Sequence, residues 1–407
     1  MEKLFDAAVA QLARYIQFGE DGRQLLVKAD EAADELLESE FESYTSRRYN
    51  EKIPEVLSKH GLMGVTISRR YGGAGAGALL QALVMERLGQ TGMGVVTFTD
   101  VHEFLGSLTL QDWGSDWLKG QHLPLAASGK EILAYALTEP EAGSDPASMS
   151  TSYERKADGR YVIRGSKYLI SNGSVATHMI VFARSKDTGL ITSFFIDTKS
   201  QGFNVEMRLT EKPGLFTSDT ALLSFDGVEV GKEDILGEEG KGLHVAYSAL
   251  LNGRIGIASG CIGVMEDCLN QVIERVKSRI QHGKEIGKHQ LVQKHIAAIA
   301  SNLESSRWLV YDAAMKKEVY DMNRQDRELR EQADRASAIA KYVASRCAFD
   351  TSDRALQLFG GFGYNTLSPV TKHFLDTRVA RIYEGTDEIM ELKIASSILG
   401  KDFEAYR

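Results

Sequence analysis

The period at which apolar residues recur changes twice along this chain, and that change limits its fold more than any other feature. From residue 1 to about 125, Ala-, Leu- and Glu-rich runs keep helical spacing, with breaks at Gly19 to Gly22, Tyr44 to Tyr49, and the cluster Gly72, Gly73, Gly75 and Gly77. From about Ile132 to Val230 the period is two. Val205, Met207 and Leu209 alternate with Asn204, Glu206 and Arg208, and Asp158-Gly159 turns into a run that starts at Tyr161. Past Gly240 the helical period returns: Ile296, Ile299, Leu303 and Val310 share one face, flanked by amphipathic runs at 243–281 and 326–350. No single kind of element satisfies both periods, so the expected class is α+β. A helical N-terminal domain over 1–130 precedes a middle β domain over 131–240, a small barrel or sandwich. A C-terminal helical bundle over 241–407 completes the chain, its short connections favouring antiparallel packing. The mixed charges from Asp321 to Asp334 read as a solvated helix end or loop.

A net charge of -8 argues against a nucleic-acid partner, because phosphate binding needs Lys and Arg concentrated on one face. Cys261, Cys268 and Cys347 lack paired spacing, so buried thiols in a reducing compartment are expected, with neither a disulfide nor a metal site. The first residues carry acids and show no secretory or transit pattern, and no apolar stretch is expected to approach a membrane span. These readings point to the cytoplasm.

Three stretches carry chemistry. In Arg378-Val-Ala-Arg-Ile-Tyr383-Glu384-Gly385-Thr386-Asp-Glu388, one carboxylate stands on an apolar approach, just before a glycine and a helix start. Thr386 suits the N-cap, Asp387 and Glu388 suit the positive end of the helix, and Gly400 supplies a stop, which leaves Glu384 in the preceding loop. In Tyr135-Ala-Leu137-Thr138-Glu-Pro-Glu-Ala-Gly143-Ser144, a strand breaks into a loop whose N–H groups and hydroxyls can meet a flat, phosphate-bearing ligand. Gln357-Leu-Phe-Gly360-Gly361 is a glycine break between helices, and no strand precedes it as a dinucleotide fingerprint requires.

In series with Asn252-Gly-Arg254 and Arg279-Ile-Gln-His282-Gly-Lys-Glu-Ile-Gly-Lys-His-Gln290, these segments resemble the acyl-CoA dehydrogenase family of flavoproteins over almost the whole chain. The resemblance implies a helical N-terminal domain, a central β domain and a C-terminal four-helix bundle, with FAD as cofactor. It implies that Glu384 removes the α-proton of an acyl-CoA while the β-hydrogen leaves as hydride to the flavin. Tyr135, Leu137, Thr138, Gly143, Leu169 and Ser171 would lie against the flavin, and Ser144 where flavin phosphate and thioester converge. Arg279, His282, Gln290, Gln357, Gly360 and Gly361 would approach the FAD diphosphate and adenine half, partly across a subunit interface, with Thr386 and Glu388 completing the grip. Arg254, Tyr383 and Gly385 would face the substrate. A homotetramer and an electron-transferring flavoprotein as acceptor follow from the same resemblance.

Some family members place the base one residue before the arginine that matches Arg254; here that residue is Gly253, which leaves Glu384. Leu169, His282, Leu251 and Phe216 depart from the family's usual residues. Asp100, His102 and Glu103 fall where the family's acyl cavity ends, which makes Asp100 a candidate contact for a polar, branched or ring-bearing acyl group. A helix has several faces, which favours the alternative that these three pair with one another or point to solvent. An acyl-CoA oxidase, a flavin monooxygenase and a non-catalytic acyl-CoA binder are the competing functions; the monooxygenase has no need of Glu384.

Overall fold

A computed structural model describes residues 19–403 and 405. The reading of the N-terminus and the start of the expected first domain lie outside these residues. The helix α1 (Glu20–Thr45) has Gly19 at its N-cap and acids in its first turn, so Gly22 is helical and the break is Gly19 alone. Its Leu25, Leu26, Ala29, Ala32 and Leu36 face the core. After α2 (Lys52–Lys59) come α3 (Ala78–Gly89) and α4 (Met93–Asp100), which runs into a π-helical stretch at Val101–Ser107. Then follow α5 (Leu108–Trp113) and α6 (Asp116–Ala127).

The period-two region forms one hydrogen-bonded sheet from β1 (Leu133–Ala136), β2 (Ser152–Arg155), β3 (Tyr161–Ser171), β4 (His178–Ser185), β5 (Ile191–Asp197), β6 (Phe203–Arg208), β7 (Thr220–Val230) and β8 (Ile235–Leu236). Its order is β6-β7-β3-β2-β4-β5-β8, with β1 added in parallel to β4. Ile163, Val181, Phe194, Leu223 and Phe225 fill its core. The alternation at Val205 and Met207 buries neither residue; they are 42% and 50% exposed, because β6 is an edge strand paired only with β7.

The C-terminal helices are α7 (Gly242–Ser278), α8 (Gln290–Met322), α9 (Arg327–Phe359), α10 (Pro369–Thr377) and α11 (Asp387–Leu399). The run expected to stay helical to 281 stops at Ser278. Arg279 turns extended, and a ribbon of β9 (Ile280–Gln281) and β10 (Lys284–Glu285) reverses at His282-Gly283, where both φ angles are positive, as a tight hairpin requires. The expectation that nothing approaches a membrane span is also corrected. By length and composition α7 would pass, yet 89% of its most apolar window is buried, because it is the central helix of the bundle with neighbours on every side. Cys261 and Cys268 are buried in it, all three thiols are free, and burial pushes the Cys261 thiol up to about 12.

Two buried polar joints fix the domains to one another. The Asn172 Nδ2 donates to the Phe98 carbonyl at the end of α4 (3.1 Å) and to the Leu133 carbonyl in β1 (3.4 Å). Arg307 of α8 pairs with Glu86 of α3 (2.8 Å) and Glu266 of α7 (2.5 Å), and Tyr311 donates to the other Glu86 oxygen.

Candidate active site

After α10 and a short 3-10 turn the chain reverses through Glu384 (φ 56°) and Gly385 (φ 98°) into α11, with Gly400 at its end. A left-handed φ on a glutamate costs about 1–3 kcal/mol, so its surroundings must hold it there. Four contacts do so. The Arg254 Nε donates to the Glu384 carbonyl at 3.3 Å while its Nη1 pairs with Asp334. The Lys341 Nζ donates to the Gly385 carbonyl. The Thr386 Oγ1 caps α11 by accepting the Ile389 N–H, and Arg381 and Arg346 clamp Asp387.

The side chain is treated differently. Glu384 keeps partial contact with solvent, but its Oε2 is closed off, and among the described residues the carboxylate accepts no hydrogen bond. It rests on Gly253 of α7, where an added Cβ would come within 2.6 Å of Oε2. Gly253 is therefore the seat of the Glu384 carboxylate. Burial pushes the Glu384 carboxyl up to about 7, and the nearby Arg254 and Lys341 cations limit the rise.

Asp100, the last residue of α4, packs against α7 one turn further along, where a Cβ on Gly256 would stand 2.1 Å from its Oδ1. That oxygen is also buried without a partner, and burial followed by the Glu384 charge moves the carboxyl well above its usual range. Tyr383 and Tyr135 are buried near Glu384; their hydroxyls meet Thr97 at 3.5 Å and the Ala246 carbonyl at 3.2 Å. The alternative that Asp100, His102 and Glu103 pair together or face solvent is wrong. Glu103 accepts the Val65 and Thr66 N–H groups and the Thr66 hydroxyl. His102 is buried and neutral, donating from Nε2 to the Met63 carbonyl and accepting the Leu133 N–H at Nδ1; burial lowers it to about 4.

At the end of β1 the chain enters the second motif. Tyr168 N–H donates to the Thr138 carbonyl at 2.9 Å, setting the 137–139 segment beside Leu169 and Ser171, and reciprocal Glu139 and Ala142 bonds fold Gly143 and Ser144 back. A buried pair that the sequence did not single out fixes this loop. Glu139 accepts from Lys167 (2.8 Å), the Ser150 N–H and hydroxyl, and the Thr151 N–H. Burial opposes that charge, but Lys167 and the other donors hold Glu139 at about 2. Elsewhere, His122, Glu131 and His178 gather their side chains within 4.8 Å at the seam of α6 and β4, with Phe195 stacked on His178.

Three family descriptions match in series: the acyl-CoA dehydrogenase N-terminal domain over 19–130, the middle domain over 134–228 and the C-terminal domain over 240–399. An acyl-CoA dehydrogenase of Bacillus subtilis is 36% identical over 84% of this chain and 88% of its own length. The chain belongs to the acyl-CoA dehydrogenase family. The CarC subunit of a caffeyl-CoA reductase-Etf complex from Acetobacterium woodii is 31% identical over 94% of this chain and all of its own. The butyryl-CoA dehydrogenase structure from Megasphaera elsdenii superposes with a TM-score of 0.88 at 32% identity, covering 95% of this chain and 100% of that one. This family member is an oxidoreductase that dehydrogenates an acyl-CoA with FAD.

Its residues fit that cofactor. The hydroxyls of Thr138, Ser144 and Ser171 bond to no protein group among the described residues, Leu169 is 52% exposed at φ 58°, and open space surrounds Gly143. Gly360 and Gly361 stand open at the end of α9 near exposed Gln357, and Arg279, His282 and Gln290 are exposed on and after the ribbon. This group is not gathered around Glu384. Arg279 is about 25 residues beyond Arg254, roughly 37 Å along α7. Of the departures, Phe216 is buried against Tyr44 beneath Arg47, and Leu251 is buried in the core.

Proposed function

We propose that Glu384 is the base of the dehydrogenation. The observation that carries this reading is a carboxylate with a buried, unpartnered oxygen and an affinity for protons near neutrality, seated on a glycine of the central helix. An α-proton beside a thioester is weakly acidic, and a carboxylate in water is too weak a base to take it. Desolvation strengthens Glu384, while Arg254 and Lys341 keep part of it ionised at neutral pH. The thioester oxygen, which gains charge as the proton leaves, can be met by the Glu384 N–H, which donates to no protein acceptor among the described residues. FAD, when bound, takes the β-hydrogen with its electron pair. Thr138, Ser144 and Ser171, with Tyr135, Leu137, Gly143 and Leu169, would hold the flavin side. Arg254, Tyr383 and Gly385 shape the substrate side.

The distance from Arg254 to Arg279 exceeds the span of one FAD, which supports a homotetramer in which Arg279, His282, Gln290, Gln357, Gly360 and Gly361 hold a neighbour's cofactor, with Thr386 and Glu388 nearer the base. An electron-transferring flavoprotein is the proposed acceptor, in keeping with the CarC relative, and three free thiols suit the cytoplasm. The direct test is anaerobic mixing of purified protein with a panel of acyl-CoAs. Glu384→Gln should slow bleaching of the oxidised flavin by about 10²–10⁴-fold. Bleaching at the wild-type rate would remove Glu384 from the reaction.

A further inference from the structure

Around the Glu384 carboxylate nearly every polar group already has a protein partner. Tyr383 meets Thr97, Tyr135 donates to the Ala246 carbonyl, and Arg254 is divided between the Glu384 carbonyl and Asp334. Asp100 is the exception. It is 1% exposed, its Oδ1 is closed off, and no donor among the described residues reaches either oxygen. Leaving such a group unpaired costs about 1–3 kcal/mol. Its placement is not accidental packing, since the π-helical stretch begins at the next residue and both His102 and Glu103 are turned away toward the 63–66 backbone. Of the three ionisable residues only Asp100 faces α7, over Gly256 beside the Phe104 ring, while Glu384 lies over Gly253. Positions three apart on a helix are about 5–6 Å from each other, so the two carboxyls approach neighbouring positions on one face of α7.

We propose that Asp100 selects the substrate: the acyl group carries a hydroxyl on its third or fourth carbon, and the Asp100 carboxyl bonds to it while Glu384 takes the α-proton. The inference rests on the reading of Glu384 as base, which sets the α-carbon at one end of that face. An uncharged donor is the suitable partner. Asp100 sits in the field of Glu384, and a carboxyl kept neutral there both gives and accepts a hydrogen bond, as a hydroxyl does. A cation at this spot would stabilise ionised Glu384 and weaken it as a base.

The test compares anaerobic flavin bleaching by butyryl-, 3-hydroxybutyryl-, 4-hydroxybutyryl- and 4-trimethylammoniobutyryl-CoA in the wild-type holoenzyme, Asp100→Asn and Asp100→Leu. A site built for a hydroxyl discriminates strongly against its absence, so the wild type should favour one hydroxyacyl thioester over butyryl by at least about tenfold in kcat/KM. Asp100→Leu should reverse that order, lowering the hydroxyacyl value and raising the butyryl value, and Asp100→Asn should keep part of the preference. Equal or better use of butyryl-CoA by the wild type overturns the proposal and leaves Glu384 untouched. Preference for the quaternary ammonium, which has charge and no donor, also overturns it. If no thioester bleaches the wild type, the dehydrogenase reading falls and this inference with it.

Discussion

Glu139 and Glu384 are both glutamates with desolvated carboxyls beside the region that would receive the flavin, and their surroundings are opposite. Glu139 has three donors and a buried lysine, and its proton affinity falls to about 2. Glu384 has no donor on its carboxylate, rests on bare backbone, and rises to about 7. Burial pushes both upward; partners decide the outcome. A carboxylate that shapes a loop must stay charged and held, whereas one that moves a proton must be nearly indifferent to carrying it.

Breaking the Glu139 side should have the largest effect. Lys167→Met leaves a buried carboxylate without its counter-ion and should cost about 3–5 kcal/mol in thermal or denaturant unfolding. Lys167→Met with Glu139→Leu should recover much of that loss, and the single variant should retain less FAD. Little destabilisation by the single variant would mean the pair does not hold the loop. Next comes the seat of the Glu384 carboxylate. Gly253→Ala places a methyl against the Glu384 carboxylate and should lower kcat by about 10–100-fold, with a smaller change in unfolding. An unchanged kcat would show that the carboxylate works from another position.

The pH responses should have opposite signs. Glu384 must be ionised to accept a proton, so kcat/KM should fall about tenfold per unit as pH drops below about 7. Its raised affinity means that its protonated form favours the fold, a contribution lost as pH rises from about 4.5 to 7; Glu384→Gln should flatten that part of the stability profile. Glu139 contributes above about 4.5, and its contribution is lost as pH falls toward 2. Parallel profiles in Glu384→Gln and wild type would contradict the contrast. The smallest effect is expected at the shared scaffold: Thr386→Ala removes the cap of α11 and should cost about 1 kcal/mol in unfolding.

The order helix, sheet, helix was legible because the period of the apolar residues reports which face is buried. The Thr386 cap and the loop position of Glu384 were legible because capping is local chemistry. The ribbon at 280–285 was hidden, since Arg279 and Ile280 continue a helical pattern and only the His282-Gly283 turn betrays the reversal. The Glu139–Lys167 pair was hidden because its members are 28 residues apart and meet only when Tyr168 pairs with Thr138. Gly253 could be read as the lack of a rival base; its second role, as a seat, depends on a contact across the bundle. The fates of Asp100, His102 and Glu103 could not be separated by spacing, because the π-helical winding alters which neighbours successive residues meet.

Gly253 and Gly256 give α7 a face of bare main chain beneath Glu384 and Asp100. A wall of side chains must give up rotamer freedom when a ligand enters, at about 0.5–1.5 kcal/mol for each long side chain that is immobilised. Backbone in the middle of a 37-residue helix has no such freedom to lose. A thioester entering there meets a surface already as ordered as it will become, and its binding energy remains for holding the α-carbon against the base.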